Sequence, residues 1–308
     1  MTNYLVTGGA GFIGSHLVEE LSRRGHALTV IDTRSAPEVM GTQVRWHQKS
    51  ILDNLGDIFR QGMFEGVFHL AAIPSVQYTI EHPIETNEIN YEGTLNLLGH
   101  CLKYAVPRFI FSSSAALYGD HTTIPLAESL SSIMLSPYAK QKLLSEGACK
   151  FFYQQSGLET LALRYFNVYG PRQSMAGDYA SVVPRFFECA LQKNPLVIYG
   201  DGLQTRDFIS VFDVVAANVM AMENKNPACF GEAVNIGSGC ATTIRTLAEQ
   251  IIGICQSPST IIHEASRHEP RQSCADIQKA SHFLSWKPRY SLEEGLRETY
   301  QYYRVTYR

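Results

Sequence analysis

Hydrophobic positions in the first half of the chain alternate between two patterns. Short β-branched and aromatic runs at Tyr4–Thr7, Leu28–Ile31, Val67–Leu70, Phe109–Ser112 and Thr160–Arg164 read as strands. Between them, Gly11–Arg24, Leu52–Gln61, Ile89–Tyr104 and Tyr138–Ser156 carry the longer spacing of helices. Strands alternating with helices predict an α/β fold, with a doubly wound parallel sheet covered on both faces and right-handed crossovers. After Arg164 the rhythm changes, as Pro171, Pro184, Pro195 and several glycines cut the chain into shorter pieces. Ile209–Ala221, Ala233–Ile236 and Ile244–Gly253 are the further elements. The pattern divides the chain into residues 1–165 and a smaller lobe, 166–308, with residues of about 209–240 returning to the main sheet.

Composition changes this picture little. The 308 residues suffice for a well-buried core, and 45% apolar with 18% charged residues is an ordinary globular balance. A net charge of −3 gives no global basic field for nucleic acid or an anionic membrane, so an anionic ligand must be held by local groups. No run of about 18 apolar residues predicts a membrane span. The start, MTNYLVTGG, lacks the pattern of a signal peptide, which points to the cytoplasm. Cys101, Cys149, Cys189, Cys229, Cys240, Cys255 and Cys274 are scattered without a CxxC, as reduced structural thiols are, and no metal site is expected.

The first chemical signal is a glycine turn. In YLVTGGAGFIGSHL, Gly8, Gly11 and Gly14 stand between a strand and a helix. There they allow a tight turn, close approach of a pyrophosphate, and close helix–strand packing. The helix N-terminus then faces the anion. This context predicts a Rossmann-type dinucleotide site. Asp32 ends the next strand, 18 residues after Gly14, placed to accept from an adenosine ribose. Its charge favours NAD over NADP, although Arg34 nearby could pair with a 2′-phosphate.

The second signal is Tyr138-Ala-Lys-Gln-Lys142, whose i, i+4 spacing puts a phenol and an ammonium on one helix face. Alone this is an ordinary amphipathic accident. With Lys⁺ and an oxidised nicotinamide alongside, the Tyr138 pKa should fall and the pair can move a proton. Ser114 ends the strand FIFSSS, 24 residues upstream, where a hydroxyl can face a ligand crevice.

These motifs, with HLAA at His69–Ala72, SSSAALYG, SPYAKQK, RYFNVYGPRQ, YGDGLQTRDFISVFDV and SCADIQKA, occur in one order along nearly the whole chain. Together they resemble the extended short-chain dehydrogenase/reductases, most closely the UDP-glucose and UDP-N-acetylglucosamine 4-epimerases. The resemblance implies NAD as cofactor, a UDP-sugar as substrate, and redox-neutral 4-epimerisation through a transient 4-keto sugar. It implies catalytic roles for Ser114, Tyr138 and Lys142. Cofactor contacts are expected from Gly8, Gly11, Phe12, Ile13, Gly14, Asp32, Ser50, Ile51, Leu70, Ala71, Ala72, Asn90, Ser112, Tyr138, Lys142 and Tyr165. Phe166 matches a residue flanking the nicotinamide. Substrate contacts are expected from Ser114, Asn167, Val183, Val197, Tyr199, Arg206, Arg271 and Ser273.

Several details shape that expectation. Dehydratases and decarboxylases of the family carry an acid just after the serine or threonine of this strand, where this chain has Ala115 and Ala116. Arg267-His268-Glu269-Pro270-Arg271 is one residue tighter than the family pattern, with Glu269 matching the uridine ribose contact and Arg267 or Arg271 the phosphate. Ser50 stands where relatives have an aspartate near the adenine, and Pro74 where some have a lysine. Ser273 is small at the position that gates room beside the sugar C2 substituent, which suits an N-acetyl group. A net nucleotide-sugar reductase or dehydrogenase, and a non-catalytic NAD-binding regulator, share the scaffold. The first would consume reduced cofactor, and the second needs no proton shuttle. A homodimer through the helices Ile89–Tyr104 and Tyr138–Ser156 is implied by the resemblance alone.

Overall fold

A computed structural model of the chain describes residues 2–36, 43–175, 181–266 and 269–306. The first half runs β1 (Asn3–Thr7), α1 (Phe12–Arg23), β2 (Ala27–Asp32), β3 (Val44–Gln48), α2 (Gly56–Gly62), β4 (Gly66–His69), α3 (Val76–Glu81), α4 (Pro83–Asn87), α5 (Gly93–Lys103), β5 (Arg108–Ser114), α6 (Pro137–Ser156) and β6 (Glu159–Tyr165). The second runs β7 (Asn167–Tyr169), α7 (Val182–Leu191), β8 (Leu196–Tyr199), β9 (Thr205–Ser210), α8 (Val211–Glu223), β10 (Glu232–Ile236), β11 (Ala241–Thr243), α9 (Ile244–Cys255), β12 (Ile261–Glu264), α10 (Gln278–Leu284) and α11 (Leu292–Thr306).

The seven-stranded sheet has the order β10-β6-β5-β4-β1-β2-β3, and its six pairings are all parallel. The strand order reverses at β1, which sits between β2 and β4, and such a switch point opens a crevice at the carboxyl ends of the strands. One face of the sheet packs on α1 and α8 through Leu17, Leu21, Val214 and Val219. The other packs on α5 and α6 through Leu97, Leu98, Cys101 and Cys149. A third cluster joins α7, α9 and α11 with β8, including Phe187, Leu247 and Tyr303. Two small sheets, β11-β9-β7 and β12-β8, complete the chain's described strands.

Local chemistry sets the element ends. Ser136 caps α6 by accepting from Ala139 N at 3.2 Å, Pro137 occupies its first turn, and Gly157 closes it in the left-handed conformation. The helix expected over Leu52–Gln61 starts only at Gly56, because the residues before it bond among themselves. Ser50 N donates to Asp53, Leu52 N to Ser50 Oγ and Gly56 N to Asn54, an alternative to helix that these side chains favour. The expected Ile89–Tyr104 helix begins as a π-helical turn, Glu88–Glu92, before α5. Ile209–Ala221 is not one element: Ile209 closes β9, and Ser210 caps α8 by accepting from Phe212 N. β3 was not expected, since VRWHQ is a short, half-exposed edge strand.

Candidate functional site

The turn after β1 builds the switch-point crevice. Gly8 adopts φ +74°, and a Cβ there would come within 2.7 Å of Ala71 N, at the end of β4. A Cβ on Gly14 would stand 2.1 Å from Gly8 O, so the turn closes only with glycine at both places. Gly11 is the N-cap of α1 and makes no side-chain cap, which leaves the helix N–H groups open to an anion. The resulting cleft, about 640 Å³, is lined there by Gly8, Gly11, Phe12, Ile13, Gly14, Leu70 and Ala72. Asp32 is buried, with Oδ2 accepting from Ala10 N and Oδ1 from Arg34 N, each at 2.9 Å. The carboxylate therefore braces the glycine turn while retaining lone pairs, and Arg34 lines the cleft beside it. The glycine cradle, the uncapped helix and this acid fit NAD.

Three of the expected cofactor contacts, Ser50, Ile51 and Asn90, sit elsewhere. Ser50 is engaged in the turn before α2, and Ile51 is core, packed against Gly93. Asn90 is buried in the π-helical turn and does not line the cleft. It accepts from Ile73 N at 2.7 Å and donates to Ile73 O and to Gln141 Oε1. Its amide thus pins the segment after β4 to α6, one residue before Lys142.

At the other end of the cleft, β5 and α6 bring Ser112, Ser113, Ser114, Tyr138 and Lys142 together, with Tyr165 and Phe166 from the end of β6. The Ser114 side chain faces the Tyr138 hydroxyl closely enough to act on it. Lys142 Nζ donates to Ser112 O at 2.7 Å and lies 4.7 Å from the Phe111 ring centre and 5.8 Å from that of Tyr138. Burial pushes the phenol up to about 12, against the pull of the Ser114 side chain. Burial also pushes the ammonium down to about 8, against the charge of Glu146. The expected lowering of the Tyr138 pKa is therefore absent in the chain by itself. The site withholds water from the phenolate, and the Lys142 ammonium is turned to a carbonyl. Tyr165 OH donates to Asn218 at 2.9 Å.

A second cleft of about 280 Å³ adjoins β7 and α7, lined by Asn167, Val197, Tyr199 and Arg206 of the expected substrate contacts. Arg206 donates to Glu269 at 2.6 Å and to two backbone carbonyls. Gln204 is buried, donates to Tyr199 O, and leaves Oε1 without a hydrogen-bond partner among the described residues. Gln204 and Arg185 line this cleft and were not anticipated. Neither has a sequence signal distinct from a structural polar residue. Three expected contacts fall outside either cleft's lining. Val183 is core in α7 while its neighbour Val182 faces the cleft. Arg271 is exposed and forks onto Asp201, with both bonds at 2.8 Å. Ser273 is half-buried in the strap that bonds Leu126. Arg267 lies outside the described residues.

No carboxylate lines the Tyr138 cleft among the described residues. Ala115 and Ala116 follow Ser114 in a 3₁₀ turn, and Ser114 Oγ accepts from Ala116 N.

Comparison with known proteins places this geometry. The model of the NAD dependent epimerase/dehydratase family matches residues 4–237. The UDP-N-acetyl-alpha-D-glucosaminuronate decarboxylase of Bacillus cytotoxicus is 38% identical, over 97% of each chain. The crystal structure of the Thermotoga maritima UDP-glucose 4-epimerase with UDP-glucose is 38% identical, with a TM-score of 0.94 over 100% of both chains. The UDP-N-acetylglucosamine 4-epimerase of Methanobrevibacter ruminantium, in complex with UDP-N-acetylmuramic acid, is 35% identical, with a TM-score of 0.93 over 99% of this chain and 98% of that one.

Proposed function

Because this chain belongs to the NAD-dependent epimerase/dehydratase family, we propose that it is a UDP-hexose 4-epimerase. It interconverts UDP-GlcNAc with UDP-GalNAc, and UDP-glucose with UDP-galactose, through a transient 4-keto sugar, working as a homodimer. The observation that carries this reading over decarboxylation is the pair Ala115 and Ala116 after Ser114, in a cleft without a carboxylate among its described lining residues. NAD, when bound, supplies reversible two-electron oxidation at sugar C4. The glycine turn and the α1 N-terminus would hold its pyrophosphate, and Asp32 would accept from its adenosine ribose.

The remaining work belongs to the side chains. Ser114 orients the sugar 4-hydroxyl and passes its proton to Tyr138, which returns it when the opposite face is presented. Lys142 stabilises the phenolate by its charge. Asn167 and Arg206 grip the pyrophosphate of the substrate, Val197 and Tyr199 line the base, and Glu269 accepts from the ribose. For that, Arg206 exchanges its Glu269 partner for phosphate oxygens, a comparable charge-assisted bond. Arg271, committed to Asp201, is given no phosphate contact.

The test is incubation of the purified protein with UDP-GlcNAc and, separately, UDP-glucose, reading product stereochemistry by proton NMR. Conversion to the galacto forms is expected, and the two rates rank the sugars. A parallel incubation with UDP-glucuronate and UDP-N-acetylglucosaminuronate, assayed for carbon dioxide, addresses the activity named for the Bacillus relative. Carbon dioxide release without conversion of the neutral sugars overturns the epimerase reading.

A further inference from the structure

Behind the catalytic strand lies a buried carboxylate with no part in the reaction as described. Glu146 stands one helical turn after Lys142 on α6, so both project from the same side of that helix toward the sheet. Its Oε1 accepts from Ser113 Oγ at 2.5 Å, and Ser113 stands between Ser112, whose carbonyl holds Lys142, and Ser114, which lines the cleft beside Tyr138. The same carboxylate takes both arms of Arg164 from β6, at 2.9 and 2.8 Å. Both side chains of this pair are under a tenth exposed, at 8% and 9%. One acid therefore ties α6, β5 and β6 together at the level of the proton-handling groups.

We propose that Glu146 is a positioning residue for Ser114, Tyr138 and Lys142, fixing the carboxyl end of β5 through Ser113 and giving Lys142 a buried counter-charge. The idea rests on the epimerase reading for its consequence, not for its geometry. A buried ammonium beside a carbonyl and two ring faces is poorly solvated, and desolvation favours its neutral form. Glu146 is the carboxylate that opposes this for Lys142. The other titratable groups facing Lys142 are His69 on β4, Tyr138, and Cys149 on α6. Around the Glu146–Arg164 pair stand Tyr118, and in the groove on its outer side Glu128, Lys150, Glu232 and Lys279. An ammonium lost too early no longer favours the Tyr138 phenolate, so the rise of kcat with pH is displaced to higher pH.

Removing Glu146 alone leaves Arg164 buried and unpaired, which threatens folding. The test therefore uses Glu146→Gln together with the double variant Glu146→Gln/Arg164→Met, which buries no unpaired charge. In Glu146→Gln the remaining Arg164 guanidinium also repels Lys142, so the single variant should lower the midpoint at least as far as the double variant does. The Lys142 ammonium is titrated by NMR in isotope-labelled protein, its signal identified by its disappearance in Lys142→Met. A midpoint lower than wild type by about half a pH unit or more is expected, with the acid limb of kcat moved to higher pH. Glu146→Asp, which keeps the charge, should hold the midpoint near the wild-type value. An unmoved Lys142 midpoint in the folded double variant overturns the proposal, and so does a uniform loss of kcat with the limb in place. Wild-type protein that epimerises nothing sinks the epimerase reading instead, and the Lys142 titration still decides the role of Glu146.

Discussion

Tyr138 carries the sharpest residue-scale consequence. Its hydroxyl is buried beside Ser114 of the catalytic strand, so Tyr138→Phe removes a proton carrier and one oxygen and leaves the packing intact. Turnover should fall by about 10²-fold or more, with bound NAD retained in the purified protein. Paired measurement of epimerisation rate and of released cofactor checks this, and retained turnover would remove Tyr138 from the mechanism. At this scale the sequence was legible where two groups lie close along the chain. Tyr138 and Lys142 are one helical turn apart, and Ser114 ends a recognisable strand. It was illegible for Ser50, Ile51 and Val183, because a one-residue rotation about a turn or helix decides whether a side chain faces a cleft or the core. Val182 and Val183 differ by only that.

At the scale of elements, His69 joins β4 to its neighbours. Thr94 Oγ1 donates to Asn90 O and so accepts from His69 Nε2, which leaves Nδ1 to accept from Thr7 Oγ1. The neutral ring thus links β1, β4 and α5, and a second proton would break the bond to Thr7. Burial, helped by the Lys142 charge, pulls the His69 pKa down to about 3. Since the unfolded chain protonates near pH 6.5, this group's contribution is complete above that value and is lost as pH falls toward about 3. The expected slope approaches about 1.4 kcal/mol per pH unit within that window. His69→Gln, which cannot titrate, should flatten the acid side of a stability–pH curve measured by urea unfolding. An equal slope in both proteins would assign the acid sensitivity elsewhere. The π-helical turn belongs to the same scale. Apolar spacing predicted a continuous helix, but Asn90 bonds Ile73 across 17 residues, a long-range demand that local periodicity does not encode.

For the whole molecule, the two clefts divide the labour between β1–α1–β4–β5–α6 on one side and β7–α7–β8–β9 on the other. On the far side of the large sheet, α5 and α6 leave Leu102, Leu144 and Phe151 exposed, with Gly99 and Gly147 open to solvent beside them. Leu144, Gly147 and Phe151 share one stripe of α6, and a second copy is the occupant proposed above. If the proposed dimer uses this face, the unaltered protein should sediment as a dimer and Leu144→Glu/Phe151→Glu as a monomer at the same concentration, with the circular dichroism unchanged. A variant that sediments as the unaltered protein does would exclude this face as the contact.

The sequence by itself determined the parallel α/β fold, the dinucleotide turn, and the Ser114–Tyr138–Lys142 group. Each is written in short-range spacing: strand period, helix period, and glycines where a Cβ has no room. Tertiary structure alone decided which arginine faces the nucleotide cleft and which is taken by Asp201. It also decided that Gln204 turns a lone acceptor inward, and that Glu146 meets Arg164 and Ser113 behind the catalytic strand. Those choices depend on strands and helices far apart in the chain being brought side by side. The energy of a buried charge is set by the partners it meets there, not by its neighbours in sequence.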